Sequence, residues 1–423
     1  MSETAAPARK AALYLLNGVL IDHRQLSDMI DKGALDRLTP QDRARAQRLT
    51  TDVLRGLERA DRLLDRYLRK RPALNVRNIL RLGTVELCHG GAAHGVVGDM
   101  VALAGSHPRN RQLKGMINAV LRRVAEEGVG PWKDLRIPRL PAWLRGPLVS
   151  AWGAGAVSGM EKAHFQGAAL DITVKEDASG WAEKLQGSLL PTGSVRLEAP
   201  GQISALPGYD DGAWWIQDAA AALPVQVLAP QKGEAILDLC AAPGGKTLQL
   251  ATAGADVTAL DVSERRMERV RENLKRAKLT ASCVIGDALT HKGEYDAILL
   301  DAPCSATGTI RRHPDLPFAK DGSEFNELIG LQAAMLDHAV SVLKPGGRLV
   351  FCTCSLLPDE GEVQVEEALV RHPDLSVARS ALNVPGVDDT WITEEGGLRL
   401  RPDYWPEHGG MDGFYMACLR KKT

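Results

Sequence analysis

From residue 233 onward, short apolar runs alternate with amphipathic helical segments, and this alternation constrains the fold more than any other feature of the chain. In order come EAILDLC (234–240), KTLQLATAG (246–254), DVTALD (256–261), a charged helix over 263–279, SCVIGD (282–287), DAILLD (296–301), a long helix over 324–343 and GRLVFCTC (347–354). Strand and helix in regular alternation specify a parallel sheet with helices on both faces. Ligands of such sheets bind beyond the carboxyl ends of the strands, so the residues directly after each strand are the ones to inspect.

The chain has 423 residues, which predicts two or three folded units. Before residue 130 the apolar positions recur at helical spacing, as in Ala12, Leu15, Leu16, Val19 and Leu20, or Ile79, Leu82 and Val85. That pattern predicts an all-helical bundle. Its last helix, KGMINAVLRRVAEE, gathers Met116, Ile117, Val120, Leu121 and Val124 on one face and leaves Arg122 and Arg123 for solvent or phosphate. Gly128, Gly130, Pro131, Pro138 and Pro141 cluster next, and all eight Trp follow residue 130, which sets a boundary there. Residues 131–200 predict a small α+β connector, with a helix over 141–152, a strand over 170–174, a helix over 178–185 and a strand over 194–198. The α/β domain takes 201–423.

Charge separates these regions. The net charge is −1, yet residues 1–130 hold 22 Lys and Arg against 14 Asp and Glu, and 18 of the cations are Arg. Arginine suits bidentate phosphate contacts, so the helical domain is a candidate RNA-binding module. The competing reading is that these arginines serve ion pairs within the bundle. With 25% charged and 44% hydrophobic residues the chain is neither disordered nor fibrous. No apolar run approaches the roughly 18 residues that span a bilayer, and the start, MSETAAPARK, has no signal-peptide core. A soluble, cytoplasmic protein is expected, with no membrane partner and acting as a monomer. Seven scattered cysteines predict reduced thiols rather than disulfides.

The first strand runs into CAAPGGKT (240–247), a turn whose Gly244 and Gly245 let the backbone approach a ligand. It differs from a phosphate-binding GxxxxGK[ST] loop at one place, the first glycine, which is Cys240 here. The acid Asp261 after the second strand favours ribose hydroxyls instead, and a GxGxxG dinucleotide turn is absent. Further acids follow: Asp238 lies inside the first strand, Asp287 follows the third and Asp301 ends the fourth. A single strand-end acid is usually a turn former or cap. Three in succession fit a nucleoside cofactor, with ribose on Asp261, adenine near Asp287 and Asp301 at the reacting end. The fourth strand continues as DAPCSATG (301–308) and the fifth as CTCS (352–355), which brings two cysteines to neighbouring strand ends. Cys352 is expected to turn to the face opposite Cys354 and act as a small buried residue. A zinc site from Cys304, Cys352 and Cys354 is weakly signalled without a second close pair or a histidine, and no metal is expected.

CAAPGGKT, DAPCSATG and TCS together resemble the RNA cytosine-C5 methyltransferases. GTIRRHPDL (308–316), GYDDGAWWIQDAAA (208–221) and DGFYMACLRK (412–421) narrow the resemblance to the bacterial ribosomal RNA small subunit methyltransferase B (Sun/Fmu) family, and it covers nearly the whole chain. The implied fold is a Rossmann-like methyltransferase domain preceded by an all-α NusB-like domain and the connector. The implied cofactor is S-adenosylmethionine, held by Cys240, Ala241, Ala242, Pro243, Gly244, Gly245, Lys246, Asp261, Asp287 and Asp301. The resemblance assigns the nucleophile to Cys354, product release to Cys304, recognition of the cytosine edge to Asp301, and tuning of the thiolate or of Asp301 to Lys246. Arg311, Arg312 and His313 become candidate RNA contacts, against the alternative of an exposed basic loop. No RNA contact carries over to 173–176, where ThrValLysGlu replaces the Arg and Asn of the pattern. An enzyme acting on an exocyclic amine would show an Asn/Asp-Pro-Pro-aromatic turn where this chain has DAPCS. A transfer RNA methyltransferase shares the catalytic motifs, and a non-catalytic ribosome-assembly factor stands as the rival from another class, opposed by the presence of both cysteines.

Overall fold

The structure is a computed structural model that describes residues 6–198 and 201–423. Residues 1–5, the start of the polar amino terminus, and residues 199–200, at the expected second boundary, lie outside the described residues. Two compact units divide the chain. One comprises the residues up to 149 with 154–167 and 310–321, and the other comprises 150–153, 168–309 and 322–423.

The first unit is helical. Its main helices are Pro7–Leu20, Pro40–Arg55, Leu74–Cys88, Ala93–Ser106 and Lys114–Arg123. Thr39 starts the second of these by accepting a hydrogen bond from the Asp42 N–H at 3.2 Å, with Pro40 in the first turn. Leu15, Leu16, Val53, Leu63, Ile79 and Leu82 are buried in one core, as their spacing predicts. Ile117, Val120 and Leu121 point inward from the last of these helices and Val124 just beyond it, while Arg122 and Arg123 are exposed.

Helical structure continues past the composition boundary at 130. Gly128 keeps right-handed dihedrals, Val129–Asp134 is helical, and Trp132 is buried in the helical core. The helix expected over 141–152 runs as Ala142–Gln166, two helical segments joined across Gly153 at φ +80. Glycine and proline there mark bends within a helical region rather than its end.

In the second unit, β1 (Leu170–Val174), β2 (Ser188–Leu189), β3 (Val195–Leu197) and β4 (Trp214–Ile216) form an antiparallel sheet in the order β2-β3-β1-β4. The main sheet contains β5 (Ala235–Leu239), β6 (Asp256–Asp261), β7 (Ser282–Ile285), β8 (Tyr295–Asp301), β9 (Leu343–Thr353), β10 (Leu375–Val377), β11 (Leu398–Leu400) and β12 (Phe414–Lys421), in the order β10-β12-β9-β8-β5-β6-β7 with β11 also on β12. Strands β5 to β9 are parallel, as the alternation requires. β12 runs antiparallel to both β9 and β10, so the sheet is mixed. An antiparallel strand needs no crossover helix, and the helix–strand alternation therefore carried no sign of it.

Side chains of the central strands alternate between two apolar layers. Leu237, Leu239, Ile298, Leu300 and Phe351 pack with Met335, Leu336 and Ala339 of the helix Phe325–Val342. Ile236, Ala297, Leu299 and Val350 pack with Ala220, Leu223 and Val227 of the helix Ala219–Leu228. Buried on both faces, these strands read as nearly continuous apolar runs.

Candidate active site

After β5 the chain turns through CAAPGG into the helix Gly245–Thr252. Gly244 adopts φ +102, a conformation open to glycine, and the Ala241 N–H donates to the Leu260 carbonyl at 3.0 Å, tying the turn to the end of β6. Asp238 is wholly buried behind this turn. Thr247 Oγ1 donates to its Oδ2 at 2.5 Å, while Oδ1 has no partner. Burial pushes its carboxyl up to about 7. Asp238 braces strand against helix. Burial also pushes the Cys240 thiol up to about 12.

Asp261 ends β6 almost fully buried. Its Oδ1 accepts from the Ser263 N–H at 2.9 Å and its Oδ2 from the Ala242 N–H at 3.2 Å, with Arg266 at 3.5 Å from Oδ2. A carboxylate has roughly four lone-pair positions, so acceptor capacity remains. Asp287, beyond β7, is exposed and accepts from the Leu289 N–H at 2.9 Å. Acceptors at two successive strand ends fit the hydroxyl and amino groups of a nucleoside cofactor. A triphosphate would need a cation at this turn, and Lys246 is already engaged: its Nζ lies 2.8 Å from Asp301 Oδ2, with 11% of the side chain exposed. Burial disfavours the ammonium, but the Asp301 charge outweighs it and keeps Lys246 protonated. The phosphate-loop alternative fails on this pair.

Asp301 is the last residue of β8 and stands in register with Cys352 of β9. The ladder continues past both strands, from the Ala302 N–H to the Cys352 carbonyl and from the Gly308 N–H to the Cys354 carbonyl, each at 2.9 Å. DAPCSATG is thereby drawn along CTCS, and Cys304 Sγ meets Cys354 Sγ at 3.5 Å, both side chains half-buried. Gly308 is required for this course, since a Cβ there would overlap the Gly413 carbonyl oxygen. The hydrogen bond to Cys354 and burial push the Cys304 thiol well above its ordinary range. Cys352 is buried, as expected, but does not turn away from Cys354. Residues two apart share a strand face, both pack in one apolar cluster, and Cys352 Sγ lies 3.6 Å from Asp301 Oδ1.

The three expected RNA contacts divide. Arg312 and His313 are exposed, whereas Arg311 is completely buried and has no surface for phosphate. They belong to the segment 310–321, grouped with the helical unit. Sequence reasoning also missed a polar knot beneath the two cysteines, formed by Ser305, Thr307, Ser355, Gln332 and Glu360. Its one signal is the acid six residues after Cys354, which also reads as a helix-start residue.

Residues 225–420 match the family described as 16S rRNA methyltransferase RsmB/F, and residues 6–126 match the NusB family. Proteins named ribosomal RNA small subunit methyltransferase B from Cronobacter sakazakii and Salmonella arizonae are 37% and 36% identical, covering 91% and 98% of this chain and 92% and 98% of their own lengths. Among solved structures, PH0851 aligns with a TM-score of 0.75 at 21% identity over 99% of this chain and 100% of its own. A methyltransferase homologue from Pyrococcus horikoshii aligns at 0.55 with 29% identity over 66% of this chain and 94% of its own. The strand-end acids, the paired cysteines and relatives of this likeness along nearly the whole chain agree: the protein belongs to the ribosomal RNA small subunit methyltransferase B family, adenosylmethionine-dependent RNA methyltransferases that carry a NusB domain.

Proposed function

We propose that this protein methylates C5 of a cytosine in RNA through a covalent enzyme–RNA intermediate, and that the RNA is small-subunit ribosomal RNA, as the names of its relatives state for them. The observation that carries this reading is the approach of Cys304 and Cys354 to 3.5 Å beside an Asp301 held by Lys246.

C5 of cytosine is a poor nucleophile until C6 is saturated. Cys354 forms the S–C6 bond, the C5=C6 π pair moves to C5, and the proton lost by the thiol is made up at N3 of the ring. Asp301 accepts a hydrogen bond from the N4 amine and, once N3 has taken up that proton, from N3–H, so that it favours the ring in which the displaced charge is neutralised. Lys246 fixes the Asp301 carboxylate through the 2.8 Å ion pair. Adenosylmethionine, held by the 240–246 turn with Asp261 and Asp287, supplies an electrophilic methyl group for C5. Cys304, once its own proton has passed to solvent, takes the C5 proton; the C5–H pair restores C5=C6 as the S–C6 bond breaks, Cys354 leaves as a thiolate, and the N3 proton returns to it. The raised basicity of Cys304 suits the second task better than the first.

The two cysteines should fail differently. With adenosylmethionine and target RNA, Cys304→Ala should accumulate a protein–RNA species that survives denaturing electrophoresis, while Cys354→Ala should form none and no product. Adduct from Cys354→Ala alone would reverse the roles. Absence of adduct from either variant, together with normal turnover, would remove the covalent route. Bisulfite sequencing of total RNA from cells with and without the gene then reads whether the modified cytosine lies in ribosomal or transfer RNA.

A further inference from the structure

We infer that Glu360 is a positioning residue that holds the two cysteine loops in register, an inference that rests on the paired-cysteine reading above. Glu360 ends the short helix Pro358–Glu360 and is fully buried. Its Oε1 accepts from the Ser305 N–H at 2.8 Å and from Gln332 Nε2 at 3.1 Å. Its Oε2 accepts from Ser305 Oγ and, at 2.5 Å, from Ser355 Oγ. Ser305 directly follows Cys304 and Ser355 directly follows Cys354. One carboxylate therefore clasps the residue next to each sulfur.

All of these donors are neutral. A buried carboxylate that is not offset by a cation is costly and persists when several oriented donors satisfy it. The surrounding bonds supply that orientation. Gln332 Nε2 also donates to the Pro303 carbonyl at 2.8 Å, Thr353 Oγ1 to the Glu360 carbonyl at 2.8 Å, and the Leu357 N–H to Ser355 Oγ at 3.0 Å. Removal of Glu360 leaves the serines free to re-pair with one another, since their hydroxyls already approach to 3.2 Å. The two loops then lose their common anchor, and the sulfurs their fixed separation.

The test uses the full chain and reads the thiol pair without RNA or cofactor. A diazene oxidant, diamide, converts two neighbouring thiols to a disulfide: the S–S bond forms, both thiol protons and two electrons pass to the N=N bond, and a hydrazine results. Peptide mapping follows the Cys304–Cys354 bond specifically. Glu360→Gln keeps the shape of the side chain but turns one acceptor into a donor facing two hydroxyls. It should form this disulfide about tenfold more slowly than wild type or worse, and lose at least as much in kcat, with KM for RNA and affinity for adenosylmethionine nearly unchanged. Glu360→Asp, which retains both acceptors, should recover part of each loss. Wild-type disulfide rates in Glu360→Gln would overturn the inference. Should that variant not fold, Ser305→Ala and Ser355→Ala replace it, each expected to slow the disulfide severalfold, and normal rates in both would overturn it equally. Slowed thiol coupling in a protein that methylates no cytosine would uphold the positioning role and refute the proposed reaction instead.

Discussion

The helical unit and the strand ends of the main sheet treat their carboxylates in different ways. In the bundle they meet guanidinium groups: Asp61 takes Arg77 at 2.6 Å and Arg81 at 2.7 Å, and Glu86 takes Arg9 at 2.8 Å and Arg45 at 3.0 Å. Around the strand ends Asp238 meets a threonine hydroxyl, Glu360 meets serines and a glutamine, Asp261 meets two backbone N–H groups with Arg266 at 3.5 Å, and Asp301 meets Lys246. Ion pairs with these arginines tolerate small shifts because the Coulomb energy varies slowly with distance. Hydrogen bonds from neutral donors fix direction as well as distance. The bundle thus uses charge to hold helices together, and the sheet edge uses it to aim loops.

The largest test of that contrast falls on Lys246, the cation paired with Asp301. Lys246→Met should lower kcat by about a hundredfold or more, because Asp301 loses the group that orients it, while adenosylmethionine affinity by calorimetry changes only a few-fold. An equal loss in cofactor affinity would make Lys246 part of the cofactor site instead.

Next comes Asp238. Its folded carboxyl titrates near 7, against 3.8 for the exposed group, so between those values the folded state holds the extra proton and stability falls as pH rises. Asp238→Asn retains an oxygen acceptor for Thr247 and removes the titration. Between pH 5 and pH 8 wild type should lose about 2–3 kcal/mol relative to the variant in denaturant unfolding. Parallel curves for the two proteins would mean that the carboxyl is not protonated in the fold.

The smallest effect belongs to the surface of the bundle. Arg37, Arg48 and Arg66 are exposed and make none of the ion pairs described, whereas Arg77 and Arg81 are committed to Asp61. If the helical domain contacts RNA phosphates, neutralising the first three to Gln should weaken RNA binding a few-fold each and reduce the slope of log affinity against log salt by about one per lost contact. Neutralising the second pair should lower thermal stability and leave that slope alone. The reverse pattern would assign the +8 charge of residues 1–130 to internal ion pairing.

Much of this could be read in advance where the signal is local. The spacing of Leu15, Leu16 and Val19 marks a helix face, and the run AILLD marks a buried strand, because period and burial are imposed on each element by its own backbone geometry. The glycines of CAAPGGKT and the cysteines of DAPCSATG and TCS mark strand ends for the same reason. Boundaries were less legible. Gly128, Gly130 and Pro131 read as a break, yet the surrounding turns bury Trp132 in the helical core, and a helix continues through them.

What the sequence alone determined is therefore the order of strands and helices, the residues that end each strand, and the family to which the motifs belong. Tertiary structure decided which of those residues meet. The Asp301–Lys246 pair spans 55 positions, Cys304 and Cys354 lie 50 apart, and Glu360 reaches Ser305 across 55. The same structure buried Arg311 and ran β12 antiparallel. Contacts of this range depend on strand register and on which neighbour each strand chooses, and no local period records either choice.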